Sequence, residues 1–252
     1  MLAIIERDGR KYQVDLNTPL DISIPLEERE DALNCFYAPL YETSPVIAGD
    51  FIGSTEKGGV LNFLNIRINP HGNGTHTECV GHIAKEKYTI NQSLQKFHFF
   101  AQLVTVYPQK MANGDRVITK NQIEEILDRE AIPEAIVIRT MPNSKGKLNR
   151  NYSGTNPPYI DYRAVEYLVE AGVQHLLIDL PSVDREEDGG KLLAHKAFWK
   201  YPDAPRTSCT ISEMVYIEDQ VKDGIYLLNI QIASFEIDVS PSKPVLFKLK
   251  LI

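Results

Sequence analysis

Two short apolar runs, Ala135-Ile-Val-Ile-Arg139 and His175-Leu-Leu-Ile-Asp-Leu180, limit the fold more than any other feature of this chain. In each, apolar residues follow one another without the alternation of a half-buried strand, so both faces must be covered. Between them Tyr162 to Ala171 reads as a helix, with Asp161 at its N-cap and Gly172 where a helix C-terminus favours glycine. Strand, helix and strand form a βαβ unit, which implies a parallel pair with a right-handed crossover. Thr119 caps a second helix, with Gln122 three residues on and Ile123, Ile126 and Leu127 as its apolar stripe, and Pro133 closes that segment. Asp21–Leu26, Leu61–Asn69 and Phe99–Val106 read as strands, and Gly190–Trp199 reads as a short helix. Gly224–Ile230 and Val245–Leu249 read as antiparallel strands closing the sheet. No linker or repeat divides the chain. The expected class is α/β, a single domain over residues 1–252 with a mixed β-sheet and flanking helices.

Charge narrows the partners. A net charge of -7 disfavours nucleic acid and anionic membrane surfaces, which require clustered Lys and Arg. The charged start, Met1-Leu-Ala-Ile-Ile-Glu-Arg-Asp8, does not fit a signal peptide, and no run approaches the roughly 20 apolar residues of a spanning helix. A cytoplasmic protein acting on a small molecule is the expectation. The three cysteines, Cys35, Cys79 and Cys209, have no CxxC spacing, so any metal site must be built from histidines and carboxylates.

Three of the six histidines lie within the twelve residues His71-Gly-Asn-Gly-Thr-His-Thr-Glu-Cys-Val-Gly-His82. Imidazole and carboxylate suit zinc, manganese or iron. In extended backbone His76 and Glu78 share a face and reach one ion together. Gly72 and Gly74 are expected to let the preceding loop fold back and bring His71 to it, and the two oxygens of Glu78 would serve a second ion. His82 is placed to act as a base or acid rather than a ligand. A plain surface turn is the competing reading of the segment, and Cys79 with His82 as a thiol nucleophile and base is a remoter one.

The segment resembles the signature of the cyclase-like metal-dependent hydrolases, the family of bacterial kynurenine formamidase and isatin hydrolase. Their His-x-Gly-Thr-His-x-Asp-x-Pro-x-His compares with Gly74-Thr75-His76-x-Glu78-x-Val80-x-His82 here. Gly172-Val-Gln-His-Leu-Leu-Ile-Asp-Leu-Pro-Ser-Val-Asp184 is similar to a second family block, and His195 and Ile211-Ser-Glu213 to two more. Asp21–Leu26 resembles the opening strand. The resemblance implies a first metal on His71, His76 and Glu78, with Glu78 bridging to a second held by His195 and Glu213. It makes His82 the general acid/base. Ser182 and Asp184, at the end of a buried strand, are expected either to support the ligands or to cap a turn. The resemblance further implies one or two divalent ions, zinc or alternatively manganese, and a homodimer or homotetramer. The implied reaction is hydrolysis of a small amide, formamide, lactam or ester. Two departures stand out: His71 precedes His76 by five residues where the family has four, and Glu78 replaces aspartate. The extra residue must be absorbed as a bulge, or the first ligand is lost. In the latter case a metal-poor binding protein on the same scaffold is the alternative, and a metal-dependent lyase or cyclase is another. Specificity is expected in residues 36–58 and in the Met141–Ile160 connection.

Overall fold

A computed structural model describes residues 1–127 and 132–252. Among them, eleven strands form one large mixed sheet. From one edge the order is Leu2–Arg7, Arg10–Asp15, Val245–Leu251, Gly224–Asn229, His98–Val106, Ala135–Thr140, His175–Ile178, Thr210–Glu213, His76–Glu78 and Val239–Pro241. Leu20–Asp21 pairs with Val245–Leu251. Four central strands, His98–Val106 through Thr210–Glu213, run parallel, and their outer neighbours pair antiparallel.

The two apolar runs are adjacent in this centre, paired parallel with Ile136 opposite Leu176 and Ile138 opposite Ile178. Alternate side chains serve two cores. Ile136, Ile138, Leu176 and Ile178 meet the helices Lys120–Ile126, Tyr162–Ala171 and Leu193–Trp199 on one face. Ala135, Val137 and Leu177 join Phe99, Ile217 and Leu228 on the other. Burial on both faces explains why the runs carry no polar alternation. The Tyr162–Ala171 helix buries Ala164, Val165, Leu168 and Val169, one side of its cylinder. Asp161 caps it by accepting from Arg163 N, and Gly172 ends it at φ 101°, in the left-handed region that glycine enters without penalty. Thr119 and Gln122 form the reciprocal capping box expected of them.

Three expectations need correction. Of the Asp21–Leu26 segment only Asp21 lies in a strand, Leu20–Asp21; the rest is outside the ladders, and its Ile24 N–H donates to Thr75 Oγ1 at 2.8 Å. Pro25 cannot donate to a ladder, which accounts for the short strand. The Leu61–Asn69 strand shrinks to Leu64–Arg67, exposed throughout and paired only with Glu42–Pro45. Its alternation did not reflect a buried face. After it, Asn69 caps a one-turn helix, Pro70–Asn73, by accepting from Gly72 N, and Pro70 occupies the first turn. The short helix at the other segment begins at Leu193 rather than Gly190.

Because Ile138 is fully buried in the helix-covered core, Ile138→Ala should cost about 2–5 kcal/mol in urea unfolding. Ile66→Ala, at an exposed position of the two-stranded Glu42–Pro45/Leu64–Arg67 sheet, should change stability by less than about 0.5 kcal/mol.

Candidate metal centre

The candidate site forms where the carboxyl ends of the central strands meet the short strand His76–Glu78, a placement typical of α/β sheets. His76 stands directly opposite Glu213 in the antiparallel register, and Glu78 opposite Ile211 on one side and Val239 on the other. The strand is wholly buried.

Geometry around Glu78 is unusual for a carboxylate. Its side chain is fully buried, and neither oxygen has a hydrogen-bond partner. Ring nitrogens nevertheless converge on it: His71 Nδ1 at 3.2 Å, His195 Nε2 at 3.2 Å and His82 Nδ1 at 3.6 Å. His76 Nε2 faces Glu213 Oε2 at 3.4 Å and is also buried without a hydrogen bond. Three of the imidazoles turn their outward nitrogen to an oxygen. His76 Nδ1 meets Gly74 O at 3.0 Å, His195 Nδ1 meets Asp184 Oδ2 at 2.6 Å, and His71 Nε2 meets Asp238 Oδ2 at 2.9 Å. An N–H donated outward leaves the inward nitrogen with its lone pair, as a metal-ligating histidine requires.

Buried lone pairs aimed at one another with no donor between them would be costly in a dry site. A cation removes that cost, and the donor set of imidazoles and carboxylates suits a divalent ion of the zinc or manganese kind. Three overlapping sets offer ligand atoms all within 4.8 Å of one another: His71, His76 and Glu78; His71, His82 and Asp238; Glu78, His82 and His195.

Without such an ion the site gathers protons. Burial pushes the His71 imidazole down, but the carboxylates of Asp238 and Glu78 outweigh it and raise it to about 10. Burial likewise opposes charge on His195, and Asp184 and Glu78 lift it well above the usual imidazole range. The Glu78 carboxyl is held well below its ordinary value, its burial outweighed by His82, His195 and His71. The hydrogen bond from His71 and the neighbouring His82 depress Asp238. The pocket is built to hold positive charge.

The extra residue between His71 and His76 is absorbed by the Pro70–Asn73 turn. It leaves the two rings 5.2 Å apart, so His71 is not turned away. Gly72 and Gly74 act otherwise than expected, since neither has a left-handed φ. They allow close packing instead: a Cβ on Gly72 would lie 2.2 Å from Ala38 Cβ, and one on Gly74 2.6 Å from Leu26 Cδ2.

The ligand and acid/base candidates from sequence lie at or beside this cluster: His71, His76 and Glu78 meet as expected, while His82 joins Glu78 and His195 where Glu213 was expected. His82 stands among the ligand atoms rather than apart from them, its ring 4.3 Å from that of His71. Glu213 receives the Val183 N–H at 2.9 Å and is 3.9 Å from His195. Asp184 anchors His195 and also accepts the Ala194 and His195 amides, while Ser182 Oγ accepts the Asp184 amide at 3.1 Å. Asp238 was missed. It arrives from the far C-terminal region in a stretch, Phe235-Glu-Ile-Asp238, with no local signal of a site.

Cys79 points into the core opposite the helices, and burial pushes its thiol up, which removes the nucleophile reading. Nor are the remaining histidines without partners. His175 Nδ1 meets Thr210 Oγ1 at 2.8 Å and His98 Nε2 meets Asn229 Nδ2 at 3.1 Å.

A cavity of about 380 Å³ opens over the cluster, lined by His71, His82, His195 and Glu213 with Phe36 and Leu192 as apolar walls. Phe36 and Ala38 represent the 36–58 region there, whereas no residue of the Met141–Ile160 connection lines it. That connection braces the rim instead: Ser153 Oγ accepts the Tyr37 amide and Glu186 accepts the Gly154 amide. Among the described residues no helix is long and apolar enough to cross a membrane.

Residues 14–185 match the family model described as "Putative cyclase". Several solved structures share the fold. One described as "The Structure Of Potential Metal-Dependent Hydrolase With Cyclase Activity" superposes with a TM-score of 0.65 at 17% identity, covering 91% of this chain and 97% of that one. Isatin hydrolase A from Labrenzia aggregata, bound to benzyl benzoate, gives 0.63 at 15% identity, with 91% and 93% covered. Isatin hydrolase A from Ralstonia solanacearum gives 0.63 at 15%, with 91% of each covered. At such identities the likeness is one of fold. No curated protein matches the chain.

Since Asp184 fixes the tautomer of His195, Asp184→Asn should weaken zinc binding by about 10–100-fold, read by competition with a chromogenic chelator. Unchanged affinity in the folded variant would show that the Asp184 carboxylate does not tune the site through His195.

Proposed function

This chain belongs to the cyclase family, and on that premise we propose that it is a metal-dependent hydrolase of a small amide, formamide, lactam or ester. The observation that carries the reading is the convergence of buried, hydrogen-bond-free atoms on His76, Glu78 and His195. Four imidazoles and the Glu78, Glu213 and Asp238 carboxylates face one another, and His71, His82, His195 and Glu213 among them line an open cavity. Such a lining supports chemistry as well as cation binding.

In the proposed assignment His71, His76 and Glu78 hold a divalent ion, zinc or alternatively manganese. Glu78 is shared with a second set to which His195 and Glu213 contribute. A bound divalent ion supplies Lewis-acid chemistry, polarising an acyl oxygen and making water easier to deprotonate near neutral pH. The chain's own groups do the rest. Asp184 and Asp238 hold His195 and His71 in the tautomers that face inward. Phe36 and Leu192 give the substrate an apolar wall and thin the surrounding water. His82, partly exposed at the cavity, takes a proton from the attacking water and returns it to the leaving nitrogen or oxygen. A C–O bond forms at the acyl carbon, the C–N or ester C–O bond breaks, and no redox partner is needed.

The rival reading as a metal-poor binding protein rested on the altered spacing of His71 and on Glu78 in place of aspartate. The 5.2 Å between the His71 and His76 rings speaks against the first of these motives. The lyase alternative separates by product: hydrolysis in ¹⁸O-labelled water labels the acid formed, and elimination does not.

Zinc-loaded protein should hold at least one equivalent of metal by plasma mass spectrometry and hydrolyse formanilide or a simple aryl ester. His76→Ala should lose both the metal and the turnover, whereas Cys79→Ala, at a buried thiol facing the core, should keep both. Metal-free protein after loading, or hydrolysis indifferent to His76→Ala, would overturn the reading.

A further inference from the structure

The cavity over the metal cluster has one Lys or Arg side chain in its lining, Arg185, and that residue is unusually well fixed. Its Nε donates to Asp115 Oδ2 at 3.1 Å and reaches Oδ1 at 3.3 Å. Asp115 is almost fully buried and is itself held on every side. Asn156 Nδ2 donates to Oδ1 at 2.9 Å, while Tyr159 OH and Asn113 Nδ2 donate to Oδ2 at 3.0 and 2.8 Å. The Nη1 group of Arg185 donates to the Glu187 carbonyl. Its Nη2 group has no hydrogen-bond partner among the described residues, and the side chain is 38% exposed.

The acids beside it do not compete for that free edge. Both oxygens of Glu186 accept backbone amides, from Gly154 and Asn156. Both oxygens of Asp188 do the same, taking the Gly190, Lys191 and Leu192 amides. Asp184 is committed to His195 and to the Ala194 amide. Three carboxylates on this rim are thus spent on turns and on one histidine, and one guanidinium edge is left over. A planar fork anchored at one side and open at the other is suited to a carboxylate.

The geometry points to Arg185 as a specificity-determining residue that binds an anionic group, a carboxylate, on the substrate at a point away from the scissile carbonyl. The inference rests on the hydrolase reading for the scissile bond, and it narrows the substrate class to small acyl compounds bearing a second, acidic end. A cavity of about 380 Å³ has room for a molecule the size of one ring with such a substituent. Arg185 also borders a neighbouring groove of about 850 Å³, so the anionic end is the end nearer that opening.

The test uses two probes that differ only in the charge: formanilide and 4-formamidobenzoate. With zinc-loaded wild-type protein the anionic compound should show a KM lower by about tenfold or more, with a matching preference in calorimetric binding. Arg185→Gln should collapse that preference to within about twofold through KM rather than kcat. Arg185→Lys, which keeps the charge and loses the fork, should restore part of it. If neither compound is hydrolysed while wild type still binds the anion preferentially and Arg185→Gln does not, the hydrolase reading fails and the assignment of Arg185 stands. The assignment is overturned if wild type shows no preference. It is equally overturned if a folded Arg185→Gln protein keeps the preference, which would place the carboxylate on the metal instead.

Discussion

Glu78 is a carboxylate at zero exposure with no hydrogen bond to either oxygen, and the rest of the site is arranged around it. A lone charge in such a place would be prohibitive. Positive charge close by is the only stable answer, and the chain provides several imidazoles to carry it. Each of the three outward-facing tethers, Gly74 O, Asp184 and Asp238, then has a reason to exist. They fix the ring orientations and decide which nitrogen faces Glu78 or, for His76, Glu213.

The scaffold makes this tolerable. The strand carrying His76 and Glu78 lies between Thr210–Glu213 and Val239–Pro241, so its backbone groups are satisfied by ladders on both sides. Thr75, just before it, accepts from Ile24 N and donates to Met214 O at 2.5 Å, and Thr77 shares a hydrogen bond with Ser212 at 2.7 Å. Ligands on a strand pinned from two sides keep their spacing whether or not a cation is bound, which is what a preformed metal site demands. The helix-covered core behind the sheet supplies the rigidity, since Trp199 and Phe198 lie fully buried beside His195.

Much of this was legible in the sequence because its causes are local. The doubly buried strands Ala135–Thr140 and His175–Ile178 announce themselves as unbroken apolar runs, and the helix caps at Thr119, Asp161 and Gly172 are short-range hydrogen-bond chemistry. His71, His76, Glu78 and His82 were visible as a cluster. What escaped depended on contacts across the chain. Asp238 joins His71 from 167 residues away, and its neighbours in sequence carry no trace of that. The exposed Leu64–Arg67 strand alternates as a half-buried one would, and only its pairing with Glu42–Pro45 shows that no core lies beneath it. Arg185 likewise has the look of a surface residue until Asp115 is placed behind it.

The spacing of the first histidine shows how a sequence departure can be neutral in space. Five residues rather than four separate His71 from His76, and in a straight strand that would put the two side chains on opposite faces. The chain does not run straight. Asn69 and Pro70 start a single helical turn, which takes up residues at 1.5 Å of rise rather than the roughly 3.3 Å of a strand. The turn is then pressed so closely against Ala38 that a side chain at position 72 would force a shift, and Leu26 packs against Gly74. Position along the sequence is therefore decoupled from direction in space. What has to be preserved is the side of Glu78 from which an imidazole approaches. His71 approaches it at 3.2 Å from Nδ1 with its other nitrogen on Asp238, the same arrangement that His195 reaches from a different element with Asp184. Two unrelated backbone routes ending in one carboxylate–imidazole–carboxylate pattern show that this chain meets the electrostatic requirement of Glu78 by direction of approach rather than by the spacing of a motif.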